Sequence, residues 1–348
     1  MTYQKDAIPY FRNGVNIHPH VVILGAGASY AACPKGDRYG KKLPLMNSLV
    51  QTLELEKPLQ EFQHMFGNFE ELYSTLCENE QNKDLRKLIE TRTQEYFYEM
   101  EIPERPNLYD YLILSLRSKD VIATFNWDPL LFQAWRRHTK FLPHLPNILF
   151  LHGNVSVDTC AKCKKGGYLY ASYCAKCGRK LDSLPLLYPV AKKDYNSHFF
   201  VKRQWDVLNK YLEVSYYVTI FGYSAPVTDV EARKLMLKAI KANRSKAFSE
   251  LDIIDIKSEE EIEDAWYEFF YSHHYGIDKY FRNNYLFYHP RRSCDAHASA
   301  VLMNDPWDDN RFPYFKTINA MHRWIEPLIN EEIEFEKSGK GFSPNKNN

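Results

Sequence analysis

Four of the seven cysteines fall in two close pairs, Cys160-Ala-Lys-Cys163 and Cys174-Ala-Lys-Cys177, separated by ten residues. No other feature of the sequence restricts the fold as tightly. Each C-x2-C pair forms a knuckle that aims two thiolates at one point, and two knuckles complete a tetrahedral four-sulfur site for Zn2+. Four thiolates close the shell and leave no position for water, so the expected ion is structural, not catalytic. Residues 159–183 therefore read as a zinc ribbon. Lys162, Lys164, Lys165, Lys176, Arg179 and Lys180 surround it. Offsetting the charge of the thiolates accounts for these residues, and contact with nucleic acid is the alternative. Cys33, Cys77 and Cys294 read as ordinary thiols.

Metal is favoured over disulfides because no secretory signal is visible. The first 20 residues carry Asp6, Arg12, Asn13 and His18 without an apolar run, and a reducing cytoplasm is the expected compartment. No run of ~18 apolar residues is present, so no membrane span is expected. A length of 348 residues suits about two domains, or one domain with an insertion. The 45 Lys and Arg balance 44 Asp and Glu for a net charge of +1. That balance argues against a dedicated nucleic-acid coat or a polybasic membrane binder.

Apolar runs and turn residues give the order of elements. His20–Leu24 is a strand that runs into Gly25-Ala26-Gly27-Ala28-Ser29, as a buried parallel strand meets a helix. Further strands are expected over 120–125, 147–151, 216–221 and 251–256, with an edge strand at Tyr285–Tyr288. Helices are expected over 108–116, 198–214, 258–271 and 316–334, and Leu184–Val190 reads as extended. Thr228-x-x-Glu231 reads as a capping box for the helix behind it. The block 46–107 is too long for a connection and reads as a helical insertion. Strands alternating with helices predict an α/β fold: a Rossmann-like doubly wound parallel sheet over 15–45, 108–158 and 184–260. The remainder is a C-terminal α/β extension over 261–336 and a disordered tail over 337–348.

Polar residues collect where these strands end. Gly25-x-Gly27 is a plausible dinucleotide loop, because glycine lets backbone N–H groups approach a pyrophosphate at a helix N-terminus. Residue 30, where a third glycine would fall, is Tyr, and a tight turn is the other reading. Asn126 and Asp128 close the second strand two residues apart, His152 closes the third, and Gly222-Tyr-Ser224 closes the next. Ligands in open α/β sheets bind beyond the carboxyl ends of strands, so an Asn, an Asp and a His meeting there make a credible site. Taken singly, Asp128 before Pro129 suits a helix cap and His152 before Gly153 a turn. His273, His274, His289 and His297 match no usual ligand spacing and read as structural.

Gly25-Ala-Gly-Ala-Ser29, Thr124-x-Asn126-x-Asp128, His152-Gly153, the paired C-x2-C knuckles and Gly222-x-Ser224 resemble, in this order, the motifs of the sirtuin superfamily. The resemblance spans about residues 20 to 260. It implies a Rossmann-like NAD-binding domain carrying a zinc module and a helical module, with NAD+ in the cleft between them and scission of the nicotinamide–ribose bond. Sirtuin deacylases carry a Pro-Asp-Phe-Arg segment after the glycine loop, where this chain has Cys33-Pro-Lys-Gly-Asp37-Arg38-Tyr39. They read Thr-Gln-Asn-Ile-Asp where this chain reads Thr124-Phe-Asn126-Trp-Asp128, and they have a Phe-Gly-Glu strand that Leu186-Leu-Tyr188-Pro189-Val190 does not match. The Thr-Phe-Asn-Trp-Asp form, the Leu-Tyr-Pro strand and Gly222-Tyr-Ser224 with the following Asp229 look more like the sirtuin-like effectors of bacterial anti-phage systems. Those hydrolyse NAD+ to nicotinamide and ADP-ribose and act with a sensor domain or partner.

The expectation is thus an NAD+ glycohydrolase with structural Zn2+ and NAD+ as substrate. A separate activator protein and self-association into a homo-oligomer are expected, with nucleic acid not a direct ligand and no membrane contact. On this resemblance Gly25, Ala26, Gly27, Ala28 and Ser29 hold the pyrophosphate, with Gly222 and Ser224 adding a phosphate or ribose contact. Asn126 orients the nicotinamide ribose and a water. Asp128 stabilises oxocarbenium character or fixes the carboxamide side. His152 is the general base, a role that an ordinary histidine pKa of ~6.5 suits. Asp255 hydrogen-bonds the adenosine ribose. An NAD-dependent deacylase or ADP-ribosyltransferase is the first alternative, a non-catalytic NAD or ADP-ribose sensor the second, and a zinc-ribbon nucleic-acid adaptor the third.

Overall fold

The computed structural model describes residues 11–12, 14–142, 144–168, 171–188, 195–224, 229–302 and 306–342. Six strands form one parallel sheet: β1 (His20–Leu24), β2 (Val121–Thr124), β3 (Asn147–Phe150), β4 (Tyr217–Phe221), β5 (Glu250–Ile254) and β6 (Tyr275–Asp278). Their spatial order is β6-β5-β4-β1-β2-β3, the order of a doubly wound dinucleotide-binding sheet. Both faces of the central strands are covered, so β1, β2 and β4 are buried along their whole length. Along β1 the side chains alternate. Val22 and Leu24 pack toward the helical insertion and the C-terminal helix, while Val21 and Ile23 pack toward the helices Phe199–Leu212 and Val230–Ala242.

The register decides where the loops emerge. Leu24 pairs with both Thr124 and Phe221, Thr124 with Phe150, and Phe221 with Ile254. The residues that follow, from Gly25 to Asp255, therefore leave the sheet along one edge. The order reverses between β1 and β4, which opens a crevice between their loops. There backbone packs on backbone: Gly25 N donates to Phe221 O and Gly27 N to Gly222 O, both at 3.0 Å. A Cβ on Gly25 would lie 2.4 Å from Gly222 O. Gly222 has φ +61°, and a Cβ on it would lie 2.4 Å from Ala28 N.

Between β1 and β2 the chain forms the helices Leu49–Thr52, Phe69–Glu78 and Lys83–Tyr98, with a 3-10 turn at Gln60–Met65. Asn68 caps the second by accepting from Glu71 N. The helix Glu259–Trp266 starts on a complete capping box of Ser258 and Glu261. Thr228 lies outside the described residues, as do Pro189 and Val190, and the helix behind Thr228 has Asp229 at its N-cap. No helix among the described residues is long and apolar enough to cross a membrane.

Two expectations are corrected at the C-terminal side. Tyr285–Tyr288 is a helical turn, not a strand, because the Asn284 side chain caps it by accepting from Leu286 N. The edge strand is instead β6, which pairs with β5. The last helix runs over Ile318–Ser338, and the chain beyond it is packed: Phe342 lies 5.6 Å from Phe335 and 3.7 Å beneath the Arg292 guanidinium. That cation–π contact holds down a segment expected to be disordered. Residues 343–348 lie outside the described residues.

The extension also buries acidic groups. Asp252 accepts from Tyr217 OH at 2.6 Å and Asn284 Nδ2 at 2.5 Å. Glu250 lies 3.8 Å from both His274 and His297. Burial pushes the Asp252 carboxyl up to about 7 and the Glu250 carboxyl up to about 8.

Two outcomes follow from this packing. Gly222→Ala should lower the unfolding free energy by at least about 1–2 kcal/mol, because both the left-handed backbone and the Gly27–Ala28 contact penalise a Cβ; denaturant titration measures it, and wild-type stability would contradict the packing. The two buried carboxyls hold protons in the folded state that the unfolded chain releases at about pH 4. The folded state thus binds more protons between about pH 4 and 8, and this contribution to stability falls as pH rises. Asp252→Asn should flatten that slope in denaturation measured across the window, and an unchanged slope would count against the assignment.

Candidate active site

The edge of the sheet carries a cleft enclosing about 980 Å³, open solvent included. Its floor is the glycine contact between the loops after β1 and β4. One wall is the polar end of β2, with Asn126, Trp127 and Asp128. Another is His152 after β3. Tyr223, Ser224 and Asp229 come from beyond β4, and Leu43, Met46, Leu49, Glu70 and Phe97 arrive from the side of the helical insertion. Trp127 packs edge-on to Phe97 at 6.1 Å and beside Tyr188 at 4.9 Å, which joins the insertion to the sheet.

Asn126 and Asp128 are fixed by a buried network. The Asn126 amide donates to Gly25 O and to Ser29 Oγ, both at 2.8 Å. Ser29 Oγ donates to Asp128 Oδ2 at 2.7 Å and contacts Tyr109 OH at 2.6 Å. Because the serine proton goes to the carboxylate, the Tyr109 hydroxyl donates to Ser29. Asp128 Oδ1 accepts from Leu130 N at 3.1 Å, so Asp128 also serves the first turn of the helix Leu130–His138. Burial pushes its carboxyl upward, and the hydrogen bond from Ser29 opposes that shift. Asn154 clamps the loop from behind, donating to the carbonyls of Asn126 and Asp128 at 3.1 and 2.7 Å. Both Asn126 amide protons are committed, so the group it offers the cleft is its carbonyl oxygen, an acceptor.

His152 sits between the rings of Phe125, at 4.7 Å, and Tyr195, at 5.7 Å. Its Nε2 lies 2.8 Å from Tyr195 OH. The Tyr195 hydroxyl donates to Asp229 Oδ1 at 2.7 Å, and Tyr223 OH donates to Asp229 Oδ2 at 3.0 Å. Leu187 N donates to His152 O, so the stretch 184–188 runs past His152. Gly153 makes that passage possible: with φ +79°, a Cβ on it would lie 2.6 Å from Pro185 O.

The structure thus brings Gly25, Ala26, Ser29, Asn126, Asp128, His152, Gly222 and Ser224 to one cleft. Gly27 and Ala28 lie beneath it. The N–H groups of Gly25, Gly27 and Ala28 each donate to a backbone carbonyl, and Ser29 Oγ belongs to the buried network. Ala26 is exposed at the mouth. Asp255 stands apart: its carboxylate accepts from Lys257 N, and it does not line the cleft. Tyr109 and Tyr195 escaped sequence reasoning, because a tyrosine in so tyrosine-rich a chain carries no local signal; Tyr223 stood in the Gly222-Tyr-Ser224 motif, but its bond to Asp229 was not legible there. Asp229 had one signal, its place after Gly222-Tyr-Ser224.

The four paired cysteines meet in the small sheet of strands Val157–Cys160, Lys165–Tyr168 and Asp182–Ser183. All four sulfurs lie within 4.8 Å of one another, and among the described residues no other grouping could hold a metal ion. Cys174 N donates to Arg179 O and Gly178 N to Cys174 O, at 2.8 Å, which shapes the second knuckle. The N–H groups of Lys176 and Cys177 draw the Cys174 thiol down to about 6, while the hydrogen bond with Cys177 pushes Cys163 up to about 12. Four such close sulfurs ionise together only around a cation, and the donor set fits Zn2+. The module rests on the helix Phe199–Leu212, where a Cβ on Gly166 would strike the Phe200 ring. Burial pushes the Cys33 and Cys294 thiols up to about 12, so both stay protonated.

No protein-family model matches the chain, and no curated protein matches it. Among solved structures it is similar to a Sir2 homolog in complex with NAD, at 17% identity over 82% of this chain and 89% of that one, with a TM-score of 0.42. It is also similar to a mutant Sir2 homologue with 2'-O-acetyl ADP ribose, at 16% identity over 82% and 92%, TM-score 0.40. A Sir2 structure bearing on mechanism and regulation matches at 15% identity over 84% and 94%, TM-score 0.39. These are likenesses in the course of the chain, and what the cleft can do depends on its own residues.

The zinc site is testable without any substrate. The purified chain should contain about one zinc per molecule by elemental analysis. Cys160→Ser with Cys174→Ser should abolish it and expose 157–183 to proteolysis, since structural zinc contributes folding free energy directly. Full zinc content in the double variant would contradict the assignment.

Proposed function

We propose that the chain is an NAD+ glycohydrolase, converting NAD+ and water to nicotinamide, ADP-ribose and a proton. The observation that carries this reading is the convergence of Asn126, Asp128 and His152 on one cleft at the strand-order reversal. An acceptor oxygen, a buried carboxyl and an imidazole are the groups that breaking a glycosidic bond to a cationic leaving group requires. Asn126 Oδ1 accepts from a ribose hydroxyl or from the attacking water. Asp128 stabilises positive character at the anomeric carbon. His152 takes the proton. The glycine floor lets the dinucleotide backbone approach, with Ala26 and Ser224 at the mouth. Leu43, Met46, Leu49 and Phe97 shield the reacting end from bulk water.

Three features support hydrolysis over acyl transfer: Thr124-Phe-Asn126-Trp-Asp128, the absence of a Phe-Gly-Glu segment at 186–190, and Asp229 after Gly222-Tyr-Ser224. In the finer form of this reading the chain depletes NAD+ as the effector of an anti-phage system. It is held off until a separate activator protein engages it, and it acts as a homo-oligomer.

NAD+ turnover by the purified chain, alone and with candidate activators, with products separated by chromatography, tests the proposal. Nicotinamide and ADP-ribose should form without any acylated peptide. Asn126→Ala and His152→Ala should each lower the rate by ~10²–10⁴ while the chain stays folded with its zinc content unchanged. Nicotinamide release that requires an acyl-lysine peptide would make the chain an acyl-transfer enzyme, and binding without turnover in every mixture would make it a sensor.

A further inference from the structure

The segment Cys33-Pro-Lys-Gly-Asp37-Arg38-Tyr39 departs from the deacylase pattern, and the proposed chemistry uses none of its polar groups. It begins where the helix Ala26–Ala32 ends. It reverses at Gly36, which has φ +100° and where a Cβ would lie 2.7 Å from Gly40 O. Asp37 sits at the centre of the turn and is only 6% exposed. Its Oδ1 accepts from Tyr39 N at 2.8 Å and from Lys41 N at 2.9 Å, and its Oδ2 accepts from Glu101 N at 3.0 Å. Arg38 N donates in return to Glu101 O at 2.8 Å. One carboxylate therefore closes the turn 37–41 and ties it to the end of the helical insertion, just beyond the helix Lys83–Tyr98. Hydrogen bonds to an ionised acceptor are about twice as strong as those between neutral groups. Beside this tie, Tyr96 OH donates to Lys42 O at 2.5 Å, and Lys41 Nζ lies 4.3 Å over the Tyr96 ring.

The residues that come next, Leu43, Leu45 and Met46, line the cleft. Tyr96 holds the carbonyl just before them, and Ser48 holds them from the other end: Leu45 N donates to Ser48 Oγ at 3.1 Å and Ser48 N to Leu45 O at 2.9 Å. Leu45 and Met46 stay 39% and 46% exposed, which leaves apolar surface for a ligand to cover. We propose that Asp37 is a positioning residue: by tying its loop to Glu101 it holds Leu43, Leu45 and Met46 as a ready-made apolar wall of the cleft, so that a dinucleotide binds without having to order that wall. The ligand in this statement rests on the NAD+ reading above; the ready-made wall does not. Holding a loop in its bound conformation removes the ordering cost from binding. When the loop is loosened, only the molecules with the wall in place bind, and the apparent affinity falls by their fraction. Asp37 does not line the cleft. Saturating NAD+ therefore reforms the wall in a loosened variant, and turnover recovers.

Hydrogen exchange of the full chain, read by mass spectrometry, reports the wall directly. Without NAD+, peptides covering 37–46 and 99–102 should exchange slowly in wild type, and NAD+ should add little protection there. Asp37→Ala should speed exchange in both at least about 10-fold, with the four-cysteine sheet unchanged, and NAD+ should restore much of the protection. Asp37→Asn is the milder variant and serves if Asp37→Ala does not fold. Its amide keeps one acceptor oxygen, which cannot serve both the turn and Glu101 N, so exchange should rise at one of the two. By calorimetry each variant should raise the Kd for NAD+ about 10-fold. In turnover KM should rise by a similar factor while kcat stays near wild type. Fast exchange over 37–46 in the NAD-free wild type, or wild-type exchange in both variants, would overturn the ready-made wall. A loosened loop with an unchanged Kd would overturn the positioning role. A wild type that binds NAD+ but never cleaves it, with the Kd raised in the variants, removes the glycohydrolase reading and leaves the role of Asp37 standing. A wild type that does not bind NAD+ overturns both.

Discussion

The contact on which the rest of the molecule depends is the meeting of two backbones at Gly25, Gly27 and Gly222. Parallel strands β1 and β4 are neighbours in the sheet, and their loops would diverge if side chains stood between them. With no Cβ at three positions, the loops close to hydrogen-bonding distance, Gly25 N on Phe221 O and Gly27 N on Gly222 O. The floor of the cleft is therefore backbone. Everything polar around it is placed relative to that floor, since Asn126 Nδ2 bonds Gly25 O and Ser29 stands one helical turn further on.

From there, buried hydrogen bonds carry position outward. Ser29, Tyr109, Asn126 and Asp128 leave the end of β2 little freedom, and Asn154 locks the same loop from the side of β3. A buried polar network of this kind is costly when incomplete and rigid when satisfied. On the other side, His152 is held by rings and by the Tyr195–Asp229 link. The helical insertion adds an apolar wall through Leu49 and Phe97. The four-cysteine module contributes no group to the cleft among those described, but it leads the chain from β3 toward the stretch 184–188 that runs past His152.

The C-terminal extension is part of the sheet, not an appendage. It supplies β6, buries Asp252 and Glu250, and returns Phe342 over Arg292 and Arg117. None of these residues lines the cleft.

Much of this was legible in the amino-acid sequence. The C-x2-C pairs determine a four-sulfur site because their spacing leaves the thiols few other partners. The runs at 20–24, 121–124, 147–150, 217–221 and 250–254 declare themselves because each is short and mainly apolar, as a strand of a covered parallel sheet is. Asn126, Asp128 and His152 are found by where these strands stop. Other elements carried no such mark. Tyr275–Asp278 is short and half-buried, and only its pairing with β5 makes it a strand. Tyr285–Tyr288 is just as apolar, but a cap from Asn284 makes it a helical turn. Tyr109 and Tyr195 lie 17 and 43 positions from Asn126 and His152 along the chain, and nothing local distinguishes them from the other tyrosines. Sequence by itself determined the strands, the glycines and the metal knuckles, because each is a property of neighbouring residues. Only the tertiary structure decided which phenol reaches which carboxylate, because hydrogen bonds depend on distances that the order of residues does not contain.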